Sequence, residues 1–295
     1  MKIRVAALAA SATLALTVLV AQPAAAQFPG RPGRFVSTAD GLTTVARDGS
    51  HPLILKLGPA LKNAGVEYPS YTPRGKSIVF DASRDADPDY EIYRVSARGG
   101  RAVQLTHNDR TDWGASQGPD RIAYVCVRGG DDEICTMRLD GSSIRQITSN
   151  DANDWNPKWT PDGSRIVFSS DRRGTMDIFS MRPDGTGTRR LTDDPGDELE
   201  PDVSPNGKRI VFWSALVAPG SLVVMRVDGT HQNTLAVATP YPGEPRTPVW
   251  SPNGTRIAFG TTDQIWTRAP TDDVGAIKVV VASGAGNNIG WQPLP

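Results

Sequence analysis

Thr160-Pro161-Asp162-Gly163-Ser164-Arg165-Ile166-Val167-Phe168 is the stretch that decides the fold, because the chain repeats it. Proline presets the first corner of a tight turn, glycine takes the positive φ that the reversal needs, and a short β-rich apolar run follows. The same turn returns as Thr72-Pro73-Arg74-Gly75, Ser204-Pro205-Asn206-Gly207 and Ser251-Pro252-Asn253-Gly254. A degraded copy, Ser116-Gln117-Gly118-Pro119-Asp120, fills the remaining place. The apolar triplets behind these turns begin at residues 78, 122, 166, 210 and 257, at spacings of 44, 44, 44 and 47. A fixed period of this size marks a repeat architecture, so it is read before anything else.

Working outward from the triplet, each unit carries a second apolar run about a dozen residues later. Examples are Glu91-Ile92-Tyr93-Arg94-Val95, Asp177-Ile178-Phe179-Ser180-Met181 and Leu222-Val223-Val224-Met225. Asp140-Gly141, Asp184-Gly185 and Asp228-Gly229 close this run with a strong hairpin signal. A third run then ends in Leu105-Thr106, Ile147-Thr148 or Leu191-Thr192. With the strand before the Pro-x-Gly turn, each unit holds four antiparallel strands, the pattern of a β-propeller blade. The units lie near residues 63–106, 107–148, 149–192, 193–236 and 237–283. A sixth is split between residues 286–293, which look like an inner strand, and residues 34–56, which supply the other three. The expectation is therefore an all-β, six-bladed propeller closed by a blade shared between the two ends, which leaves no exposed sheet edge.

Residues 1–26 are set apart from this domain. Met1 to Arg4 is basic, Val5 to Val20 is almost wholly apolar, and Ala24-Ala25-Ala26 precedes Gln27, the layout of a cleavable secretory signal. Retention as an anchor is the alternative; with cleavage, no membrane insertion is expected of the 27–295 domain, which would work in the periplasm or outside the cell. Export makes a Cys126 to Cys135 disulfide chemically permissible, and two reduced buried thiols are the other reading. Lys and Arg number 32 against 32 Asp and Glu, which argues against nucleic-acid binding through bulk charge.

The repeat resembles that of the TolB-like propeller family, which runs Leu-Thr, an acidic stretch, Pro-x-Trp-Ser-Pro-Asp-Gly, an Ile/aromatic strand and Asp-Gly. Asp154-Trp155-Asn156-Pro157-Lys158-Trp159-Thr160-Pro161-Asp162-Gly163, with Ile166-Val167-Phe168 and Asp184-Gly185 downstream, matches it best. The resemblance covers almost all of residues 34–293 and implies a free-standing propeller, without the N-terminal domain that TolB carries. It further implies a non-catalytic, monomeric scaffold that recognises an envelope or extracellular protein or peptide. The alternatives are an extracellular enzyme of the polysaccharide lyase or hydrolase type, and a cation-dependent glycan-binding module.

Propeller loops gather around the mouth of the central channel, the default binding face. Here they are acidic, which gives the candidate residues Asp109, Asp112 and Trp113; Asp151, Asp154 and Trp155; and Asp197, Glu198, Glu200 and Glu244. Ringed carboxylates suit a cation or basic groups, and the indoles supply flat apolar area. Asp85, Asp87 and Asp89 resemble the start of a Ca²⁺ loop, but Tyr90 stands where that loop needs glycine, so Ca²⁺ is a weak expectation and no other cofactor is indicated. Gly114-Ala115-Ser116-Gln117-Gly118 satisfies a nucleophile-elbow pattern without its strand-turn-helix setting. His51, His107 and His231 fall in different units, so no catalytic set is expected.

Overall fold

The computed structural model describes residues 31–38, 41–84, 89–216, 220–235, 245–261, 264–271, 278–280 and 288–294. The expected secretory signal at 1–26 lies outside them. Among the described residues no helix is long and apolar enough to cross a membrane.

Among the described residues, twenty-four strands form six four-stranded antiparallel sheets. Five run in chain order: β4 (Gly65–Tyr71) to β7 (Val103–Gln104), β8 (Asp112–Gln117) to β11 (Arg145–Gln146), β12 (Asp154–Trp159) to β15 (Arg189–Arg190), β16 (Glu198–Val203) to β19 (Asn233–Leu235), and β20 (Arg246–Trp250) to β23 (Lys278–Val280). The sixth has the order β24-β1-β2-β3, so β24 (Ile289–Leu294) is the inner strand for β1 (Arg31–Ser37), β2 (Thr43–Val45) and β3 (Leu53–Ile54). Phe35 pairs with Trp291 and Ser37 with Ile289 across this closure, and the Phe35 and Trp291 rings sit 4.6 Å apart. The two chain ends thus complete one sheet, as the split repeat predicts.

The second strands β5 (Ser77–Ser83), β9 (Arg121–Arg128), β13 (Ile166–Ser170), β17 (Arg209–Ser214) and β21 (Ile257–Gly260) hold the apolar triplets. Ile166, Val167 and Phe168 are all fully buried, although strand alternation points them to opposite faces. Both faces are covered because each blade is sandwiched by its neighbours. Ala123 and Ile134 of one blade, for example, cluster with Ile166, Phe168 and Met181 of the next.

Two repeated devices fix the blades. An arginine at or just before the second strand clamps the outer hairpin: Arg165 donates to Ser180 Oγ and to the Ser180 and Gly187 carbonyls, and Arg121 does the same with Thr136 and the Ser143 carbonyl. The Asp-Gly turns lean on the preceding blade. A Cβ on Gly141 would come within 2.6 Å of the Leu105 carbonyl oxygen, and one on Gly229 equally close to that of Leu191. The glycines are therefore needed for approach as well as for their φ of 88°.

Cys126 on β9 and Cys135 on β10 (Asp131–Arg138) form a disulfide with Cα atoms 5.8 Å apart. Cys126 pairs in register with Glu133 and Cys135 with Tyr124, so the bridge runs diagonally across one face of the sheet. That face is buried against Val79 and Ile92 of the preceding blade.

Candidate functional site

The inner strands β4, β8, β12, β16, β20 and β24 surround the channel. Five of them break register at the same place: between Glu67 and Ser70, Trp113 and Ser116, Trp155 and Lys158, Leu199 and Asp202, and Arg246 and Val249. At each break one residue is left-handed: Tyr68, Gly114, Asn156, Glu200 and Thr247, with φ between 42° and 66°. Four of these are not glycine, and a β-branched residue such as Thr247 rarely adopts this conformation. Bulges re-aim side chains, and strain of this kind persists only where the surroundings hold it. These five residues and Asn288 line one compartment of the channel.

A second compartment, a cavity of about 160 Å³, opens at the Pro-x-Gly end of the inner strands. Tyr71, Trp159, Trp250 and Trp291 and the turn prolines wall it, and Lys158 and Asp202 project into it. The indoles serve two purposes. Trp250 is buried beneath the Arg209 guanidinium at 4.6 Å, and Trp159 lies so close over Gly118 of the preceding blade that no Cβ fits there. Their remaining edges form the cavity wall.

The acids predicted to ring the channel mouth behave differently. Asp112 and Asp154 are fully buried, and Glu198 nearly so. Each closes a network at a blade junction. In the first, Thr106 Oγ1 takes the Ile92 N–H at 2.9 Å and donates to Glu91; Glu91 Oε1 takes the Asn108 N–H at 2.6 Å; and Asn108 Nδ2 donates to Asp112 Oδ2 at 2.8 Å. The second repeats it with Thr148, Glu133, Asn150 and Asp154, where Arg172 adds an ion pair to Asp154 at 2.7 Å. The third uses Thr192 on the Ile178 N–H and an Asp177 to Arg190 pair at 2.7 Å beside Glu198. Burial pushes the Asp112 carboxyl up to about 6, with the Asn108 hydrogen bond opposing, and the Glu198 carboxyl up to about 8, with Thr192 opposing. The surface placement expected for Asp112, Asp154 and Glu198 is thus corrected: the threonine after each two-residue outer strand needs an acid network to tie it to the next blade, and these side chains supply it.

Asp109, Asp151 and Asp197 are exposed, and Asp197 Oδ1 accepts the Met176 N–H at 3.1 Å. Trp113 and Trp155 are half-buried and join Tyr68 in an arc with ring centroids 5.2 Å and 6.1 Å apart; the Trp155 Nε1–H donates to Asp132 at 2.7 Å. Glu244, Asp85 and Asp87 lie outside the described residues, and Asp89 sits just before β6 (Tyr90–Ser96). Among the described residues no three His, Cys, Asp or Glu side chains gather to hold a metal ion. Ser116 of the elbow-like motif sits on inner strand β8, with no helix after it.

Glu200 does face the channel, but its Oε2 accepts the Thr247 N–H at 2.6 Å. Asp202 Oδ2 likewise accepts the Trp250 N–H at 2.7 Å. Burial raises both carboxyls, Asp202 to about 6, with Lys158 opposing the rise. Lys158, Asp202, Tyr68, Asn156 and Thr247 escaped the sequence reading. The usable signal was alternation: in Pro157-Lys158-Trp159 the indole turns into the blade interface, so the middle residue faces the channel.

A family model described as the TolB beta propeller domain matches residues 115–293. The chain belongs to the TolB β-propeller family. An uncharacterised protein of Agrobacterium fabrum is 30% identical over 111 residues, 37% of each chain, so the match spans well under half of that relative. Among solved structures, TolB from Acinetobacter baumannii superposes with a TM-score of 0.72 at 20% identity, over 90% of this chain and 67% of that one. A structure titled putative TolB from Agrobacterium tumefaciens gives 0.62 at 24% identity, over 76% and 86%. A chain of the nidogen/laminin complex gives 0.68 at 13% identity, over 88% and 98%. At these identities the structural likenesses establish the fold.

Proposed function

We propose that this TolB-family propeller is an exported, non-catalytic scaffold that binds a segment of a partner protein in its central channel. One observation carries this reading. The channel ring contains Tyr68, Gly114, Asn156, Glu200, Thr247 and Asn288, five residue types at six like blades, with Tyr68, Glu200 and Thr247 held in a left-handed conformation unfavourable for their residue type. A repeat under selection for stability alone has no use for unlike residues in strained positions, whereas a recognition surface needs both difference and fixed aim. One of the similar folds belongs to a complex between proteins, nidogen and laminin, which supports a binding role. The leader-like residues 1–26 support export to the periplasm or beyond.

The test is capture. Tagged protein serves as bait in envelope and culture-supernatant extracts, alongside a Ser70→Trp variant that places an indole in the Pro-x-Gly compartment. A stoichiometric partner retained by the wild type and lost by the variant, at unchanged melting temperature, is the expected result. Equal capture by both would overturn the channel as the site.

A further inference from the structure

Lys158 lines both compartments of the channel. Among the described residues its ammonium has neither a hydrogen bond nor an ion pair. The two channel acids nearby are already engaged, Glu200 with the Thr247 N–H and Asp202 with the Trp250 N–H. Lys158 feels the charge of both acids but touches neither, so the hydrogen-bond donors left open inside the channel are those of an ammonium. An ammonium held between indole and proline walls loses hydration, and the favourable remedy is an anion with hydrogen-bond acceptors.

We propose that Lys158 receives one carboxylate of the segment that docks in the channel, while the apolar or aromatic side chain beside that carboxylate lies against Trp159, Trp250 and Trp291. This rests on the channel being the docking site. A cavity of about 160 Å³ takes one side chain and its carboxylate, and no folded surface enters it. A single negative charge fits better than a phosphate dianion, because Glu200 and Asp202 lie close enough to Lys158 to feel its field and would repel the second charge. A chain-terminal carboxylate and an acidic side chain next to an aromatic residue share this chemistry.

Three probes separate the outcomes: N-acetyl-L-phenylalanine, its uncharged amide, and N-acetyl-Phe-Asp-amide, whose only carboxylate is on a side chain. Each is titrated by ligand-observed NMR into wild type, Lys158→Met and Lys158→Arg, with melting temperatures measured in parallel. The wild type is expected to bind at least one carboxylate about tenfold tighter than the uncharged amide. That preference should vanish in Lys158→Met and persist in Lys158→Arg; the tighter of the two carboxylates identifies the source. Equal affinity for acid and uncharged amide, no millimolar binding of any probe, or a preference intact in Lys158→Met would overturn the proposal. The two ideas fail separately. Partner capture lost in Ser70→Trp but unchanged in Lys158→Met discards the carboxylate and keeps the channel, whereas capture unchanged in both removes the channel reading itself.

Discussion

The blade junctions and the channel wall meet on the inner strands, yet they treat charge in opposite ways. At the junctions, Glu91, Asp112, Glu133 and Asp154 each meet amide, hydroxyl or guanidinium donors within 3.3 Å. In the channel wall, carboxylates bond to neighbouring backbone and a lysine is left with no hydrogen bond or ion pair among the described residues. Acidity in the loops thus reports how the ring is fastened, and the residues able to meet a ligand lie two to four positions further along the inner strands. Groups that stabilise have their partners inside the fold, and groups that recognise await theirs.

The largest expected effect that sharpens this contrast is on pH dependence. Burial pushes Asp81 and Glu198 up to about 8, against an ordinary carboxylate near 4, with the Gly114 N–H opposing the rise at Asp81 and Thr192 at Glu198. The folded state therefore holds protons that the unfolded state has released, so stability is greatest below about pH 4 for these groups and is lost as pH rises through about 8. The exposed turn acids Asp140, Asp184 and Asp228 run the other way, held low by side-chain and backbone hydrogen bonds from Ser142, Thr186 and Thr230. Thermal unfolding should show a lower midpoint at pH 8.5 than at pH 6, and Asp81→Asn should flatten that decline; an unchanged slope in the variant would contradict the assignment.

Next in size is the difference between two aspartates three residues apart. Asp154→Ala removes a buried carboxylate from Asn150 and Arg172 and should cost about 3 kcal/mol in urea unfolding. Asp151→Ala, on the exposed loop, should stay within about 0.5 kcal/mol. Comparable losses would mean that the junction network is not what holds the blades together. Smaller again is a pair of glycines with positive φ. Gly129 has open space around it, so Gly129→Ala should register backbone strain alone, about 1 kcal/mol, whereas Gly229→Ala adds collision with the Leu191 carbonyl and should cost about twice as much. Equal costs would show that the turn does not need its close approach to the neighbouring blade.

Much of the architecture was legible because it repeats. The Pro-x-Gly turns, the apolar triplets and the Asp-Gly corners recur at one period, and the N-terminal strands are those the last unit lacks, so blade count and closure follow from spacing. The site was less legible for two physical reasons. Loop acidity is the same signal whether the carboxylate faces water, as at Asp151, or is buried under Asn150 and Arg172, as at Asp154. The left-handed bulge has no signature in its own residue either, since Tyr68, Asn156, Glu200 and Thr247 share nothing in side-chain chemistry; what they share is the proline that follows each of the four, which biases the backbone away from right-handed helix without specifying a left-handed one. What could be read in advance was the alternation around Pro-x-Trp, which aims Lys158 into the channel.

The most direct test of the division between junction and channel is calorimetric titration of the captured partner into Asp154→Asn and Ser70→Trp, each with its melting temperature. Asp154→Asn should melt lower and bind the partner with wild-type affinity while folded, and Ser70→Trp should melt as the wild type does and fail to bind. An Asp154→Asn protein that melts normally and loses the partner would return the binding site to the acidic loops and contradict the account.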